Sequence, residues 1–148
     1  MSSVLLGQRI KTAVMTALAT ALADDNEIQV SYAPTRDMAR KAVLGGSVEA
    51  TERISAGRNS DGYTTRDVNG TFEVMVRVTL PGATQEDTET AAGEIGAELE
   101  NFLALNTPVL DGGDLNASVE GWNLNSWFDD EAAITLLTYR LAFQATIP

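Results

Sequence analysis

Phe72–Leu105 reads FEVMVRVTLPGATQEDTETAAGEIGAELENFLAL. From Phe72 to Leu80 apolar and polar residues alternate. Phe72, Val74, Val76, Val78 and Leu80 share one face, and Glu73, Met75, Arg77 and Thr79 share the other, the period-two pattern of a strand buried on one side. Pro81-Gly82 then breaks the chain. Thr84 is placed to cap a helix with Glu86, Asp87 and Glu89 in or near its first turns, where negative charge meets the positive end of the helix dipole. Ala92, Ile95, Leu99 and Phe102 follow at spacings of three, four and three, so the helix buries one stripe. Strand, tight turn and amphipathic helix in succession point to an α+β domain. No residue set within the passage does chemistry.

On the N-terminal side, Ile10, Val14, Leu18 and Leu22 recur every four residues, with Met15 and Ala21 beside them, and predict a helix over 3–23. Asp24, Asp25 and Asn26 end it. A short strand over 27–32 follows, with Ile28, Val30 and Tyr32 on one face and Pro34 closing it. AVLGGSVEATERISAG holds one or two strands, at 43–44 and 48–54. Residues 57–70, GRNSDGYTTRDVNG, are polar and aperiodic, and read mainly as a long hairpin tip or flexible loop. On the C-terminal side, 115–122 and 134–146 read as strands. The second places Leu137, Tyr139, Leu141 and Phe143 on one face, and NLNSWFDDEAA between the two reads as a connector. The expected fold is one α+β domain over 1–148. A mixed, mostly antiparallel sheet of about four to five strands packs against two helices and carries a long hairpin or loop extension.

Composition narrows the function. The chain has 148 residues, 44 % apolar, with no cysteine and no histidine. Histidine-based triads, histidine–zinc sites and thiolate chemistry are therefore excluded. Carboxylate or lysine chemistry and oxygen-ligated calcium or magnesium remain. There is no run of about 18 apolar residues to span a membrane. The Ala-rich N-terminal stretch is interrupted by Thr16 and Thr20 and reads as a folded helix rather than a signal peptide. The net charge of −11 opposes tight nucleic-acid binding through phosphate neutralisation and favours solubility.

Each candidate site has a plain structural alternative. Asp111, Asp114 and Asn116 lack the spacing of a calcium loop and read as a turn. Asp129, Asp130 and Glu131 are a carboxylate cluster fit for acid–base work, but adjacent acids in a hydrophilic connector read first as a solvated turn. Gly93 and Gly96 point to close packing of the helix on the sheet, since no phosphate loop precedes them. Trp122 and Trp127, with Phe128, read equally as core caps or as interface anchors. Arg36, Arg40, Lys41, Arg53, Arg58 and Arg66 are six of the ten basic residues. They form a solvated loop, an arm that pairs with acidic surfaces on neighbouring subunits or, as a third option, an arm that contacts DNA.

The order of elements is helix, short strand, long hairpin region, strong strand, helix and two C-terminal strands. It resembles the tail terminator (tail completion) proteins of long-tailed bacteriophages. The resemblance rests on IKTAVMTALATAL followed by EIQVSYAP, on FEVMVRVTL leading into AAGEIGAELENFL, and on the ending LLTYRLAFQATIP. It implies a non-enzymatic structural virion protein without cofactor or metal, located in the tail or neck and assembled in the host cytoplasm. Its partners would be further copies of itself in a hexameric ring, the tail tube and a head-side connector, with genomic DNA passing through unbound. The residues offered for subunit or tube contacts are Arg36, Arg40, Arg53, Arg58, Arg66, Trp122, Trp127 and Phe128. Neighbouring neck and tail-tube roles share the same plan, and a small carboxylate enzyme or ligand-binding domain is the alternative of a different class.

Overall fold

The computed structural model describes residues 3–58, 64–105 and 114–147. Helices α1 (Ser3–Ala21) and α2 (Gln85–Leu105) pack on one face of a sheet built from β1 (Ile28–Ser31), β2 (Lys41–Arg58), β3 (Thr64–Pro81), β4 (Asp114–Asp129) and β5 (Ala132–Ile147). The strand order is β1-β2-β3-β5-β4. Only β1 and β2 pair in parallel; the other pairs are antiparallel. The α+β class, the two helices and the mixed, mostly antiparallel sheet are as the sequence reads. Four of the strands have 16 to 18 residues, so each spans roughly 50–60 Å at ~3.3 Å per residue.

The core lies between this face and the helices. Phe72, Val74, Val76 and Val78 are buried against Leu137, Tyr139, Leu141 and Phe143 of β5, against Ile10, Val14, Met15 and Leu18 of α1, and against Leu22 just beyond it. From α2 come Ala92, Ile95, Leu99 and Leu103, while Phe102 is only partly buried. Ala21 is exposed, just past the α1 stripe. Thr84 caps α2 reciprocally: Asp87 N–H donates to Thr84 Oγ1 and Thr84 N–H to Asp87 Oδ2, each at 3.1 Å. Gly82, at φ 71°, makes the left-handed turn that joins β3 to α2.

Three expectations change. Of the two readings of 57–70, hairpin tip or loop, the described residues fit the hairpin: 57–58 end β2 and 64–70 open β3, and 59–63 lie outside the described residues. Of residues 67–70 only Val68 is buried, so this stretch lacks an apolar period, yet 66–70 are held by β5 as well as β2. The two candidate strands at 43–44 and 48–54 are one strand with a bulge, where the register moves from Gly45↔Val74 to Val48↔Phe72. The connector NLNSWFDDEAA is largely strand. β4 continues to Asp129, and Asp130-Glu131 alone turn into β5, with Asp130 at φ 52°. An edge strand exposed along both faces has no need to alternate, so its polarity reads as loop.

The face away from the helices is closed only at one end. There Ala42 and Leu44 are buried beneath the connector from β1 to β2, where Arg77 Nη1 reaches Met38 Sδ at 3.8 Å and Ala39 N–H donates to Gln29 Oε1 at 2.7 Å.

Candidate functional site

The unpaired outer edge of β4 and the flank of α2 beside it form the most conspicuous surface. Among the described residues β4 is the last strand of the sheet and pairs only with β5. Trp122, Leu124 and Phe128 are 64 %, 36 % and 58 % exposed. The register sets them opposite Tyr139, Leu137 and Ala133, on the helix side of the sheet. Trp127, 39 % exposed, is opposite Ile134 on the other side. Four large apolar side chains are thus in water along one strand with a free backbone edge. Such an edge is a template for pairing with another chain, and aromatic anchors of this kind dominate protein interfaces.

A buried polar chain holds this edge in place. Ser126 Oγ donates to Glu89 Oε1 at 2.8 Å, and Thr135 Oγ1 lies 2.8 Å from both Ser126 Oγ and Thr88 Oγ1 and donates its single proton to one of them. Thr88 Oγ1 donates onward to the Gln85 carbonyl at 2.9 Å. Each of these three hydroxyls has a partner, so the first turns of α2 are fixed to the C-terminal part of β4. One to two turns on, the Tyr139 hydroxyl lies under Gly96 and hydrogen-bonds Glu100. Burial, then the Glu100 charge and its hydrogen bond, push the Tyr139 pKa up to about 12.

The arginines do not join the aromatics. Arg36 and Arg40 are exposed on the β1–β2 connector, near the opposite edge of the sheet. Arg53 and Arg58 lie on β2, and Arg66 lies on β3 opposite Ile54 and Ile147. They are therefore spread over a connector and a paired hairpin rather than gathered in one loop. Lys11, which the sequence did not single out, stands 4.1 Å from the Tyr32 ring centroid, and burial holds its pKa below the usual lysine range. It lines a cleft of about 370 Å³ with Gly7, Gln8, Tyr32, Gly46, Val48 and Ala50. Tyr32 lies just beyond β1 and is 43 % exposed.

Asp129 ends β4 and Asp130 and Glu131 form the β4–β5 turn, all three exposed. Asn116 is exposed on β4, Asp114 opens that strand, and Asp111 lies outside the described residues. Asp24, Asp25, Glu27 and Glu98 line an open cleft of about 820 Å³ between the ends of the helices, a grouping invisible in sequence because α2 supplies Glu98. Among the described residues no cluster of acids is close enough to hold a metal ion, and no helix is long and apolar enough to cross a membrane.

No protein-family model matches the chain, and no curated protein matches it. Among solved structures, a chain of the virion of a native gene transfer agent particle is similar to it at 15 % identity with a TM-score of 0.55. The likeness covers 90 % of this chain and 93 % of that one, so the two share a fold along almost their whole lengths.

Proposed function

We propose that the chain is a structural subunit of a phage-like virion and, within it, the tail terminator. In this role copies form a ring, six-fold by the family resemblance, that seats on the head-proximal end of the tail tube. The ring stops tube growth and offers a surface to the head-side connector, and DNA passes through its channel. The reading is carried by the full-length fold likeness to a chain of a gene transfer agent virion. The exposed β4 edge supports it, because an assembly subunit needs surfaces rather than catalytic groups. Arg36, Arg40, Arg53, Arg58, Arg66, Trp122, Trp127 and Phe128 are assigned to contacts with other subunits or the tube.

Electron microscopy and mass photometry of the purified chain test the ring. Particles near six times 15.8 kDa are expected, and a chain that stays monomeric and ignores tube ends would overturn the reading. Adding the chain to growing tubes separates terminator from tube component. A terminator halts growth and sits at one end, whereas a tube protein is incorporated along the length.

A further inference from the structure

Charge is divided unevenly across the sheet. Residues 1–70 contain eight acids and eight bases, whereas residues 71–148 contain 13 acids and two bases. The whole net charge of −11 therefore belongs to the second half. Within it, α2 and β4 carry nine acids and no base. Strand order places β4 at one lateral edge and β1 and β2 at the other, and α2 packs over the β5–β4 side. Lys41 at the β1–β2 edge is already bridged to Glu27 at 3.5 Å, while Arg36 and Arg40 are exposed.

We propose that copies of this chain associate head to tail, with the aromatic and acidic α2–β4 edge of one copy receiving the Tyr32–Arg40 segment and the free β2 edge of the next. The proposal rests on the assembly reading above and names its contact. Two equal acidic edges repel, so a two-fold contact through α2–β4 is disfavoured, whereas unlike edges attract.

The register supports the match. Lys41 lies across from Val78, Val78 from Thr135, and Thr135 from Ser126, the partner of Glu89. At the other end Arg53 lies across from Asp67, Asp67 from Thr146, and Thr146 from Asp114. Lys41 on one edge thus shares a level with Ser126, which holds Glu89, and Arg53 shares a level with Asp114 on the other. Beyond Leu44, where β1 ends, the outer edge of β2 from Val48 onward is unpaired among the described residues. β2 runs antiparallel to β4, so an unrotated neighbour meets it in antiparallel register. Trp122, Trp127 and Phe128 then face Tyr32, Arg36 and Arg40, a pairing of rings with a ring and guanidinium groups.

The experiment uses two full-length charge-reversal variants, each checked for folding by circular dichroism. One carries Arg36→Glu with Arg40→Glu, the other Asp129→Lys with Glu131→Lys. Each alone is expected to raise the concentration for association about tenfold or more, as read by sedimentation velocity. Mixing them equally restores association, because each new edge meets its complement and each remaining edge meets a native one. Wild-type association also weakens with added salt. Variants that assemble like wild type, or a mixture that fails to recover, overturn this contact and leave the assembly reading standing. A wild-type chain that never associates overturns both.

Discussion

Gly93 and Gly96 stand three residues apart in α2 and have opposite environments. A Cβ on Gly96 would collide with the Tyr139 hydroxyl oxygen and come within 3.0 Å of Leu137 Cδ2, whereas a Cβ on Gly93 would meet nothing within 4 Å. Close packing on the sheet therefore explains Gly96 alone, and the pair read from sequence divides. Gly96→Ala is expected to destabilise the chain by about 1–3 kcal/mol through overpacking. Gly93→Ala, with open space and a better helix former, is expected to stabilise it by about 0.5–1 kcal/mol. Urea denaturation of both variants checks the opposite signs. Beneath Gly96, Tyr139 gives a pH prediction. Its pKa is raised from 10.0 to about 12 in the folded chain, so the native state holds the phenolic proton more tightly than the unfolded state does. That contribution is fully present below pH 10 and is lost as pH rises through 12. Tyr139→Phe is expected to flatten the fall in thermal midpoint between pH 10 and 12, and an unchanged alkaline profile would refute the assignment.

The helix that carries these residues depends on its first turn. The reciprocal Thr84–Asp87 bonds satisfy backbone donors that no helical carbonyl reaches, and Thr84→Ala is expected to cost about 1 kcal/mol, measured by the shift in chemical denaturation. This cap was legible in sequence, as were the alternation of β3 and β5 and the stripe of α1. Each of these elements buries one face, and burial forces a period on the residues. β4 was not legible beyond Trp122, because Asn123, Asn125 and Asp129 are exposed on one of its sides while Trp122, Leu124 and Phe128 are exposed on the other. Neither side of the strand is required to be apolar, so hydropathy carries no strand signal. Hairpin residues Asp67, Asn69 and Thr71 failed for a related reason, since they face the open side of the sheet. Trp122, Trp127 and Phe128 read from sequence equally as core caps or interface anchors; the structure leaves all three exposed, and their sharing of one free edge with acidic α2 depends on the sheet order.

At the scale of the whole molecule, the helix-free side of the sheet is the surface best suited to line the channel of the proposed ring. Glu49, Asn69, Glu73, Asn116, Ser118, Asn123, Asn125 and Gln144 are exposed there. The cation Arg140 is already beside Glu120 at 3.4 Å, which leaves the middle of this face polar and acidic. A duplex passing such a wall finds few cations with which to exchange its counterions, so it is not held. If this side faces the channel, assembled wild-type protein is expected to leave duplex DNA unshifted in gel electrophoresis at moderate salt. Glu49→Lys combined with Glu73→Lys would bring two cations per subunit to the wall and is expected to retain DNA, with an affinity that falls steeply as salt rises. The comparison must be made on assembled particles, since only closure into a ring repeats the new charges around one path. Equal retention when the same two lysines replace residues on the exposed flank of α2, such as Glu94 and Glu98, would show that net charge rather than the facing of the sheet controls binding. Retention confined to the sheet variant would identify the open face as the wall that DNA passes.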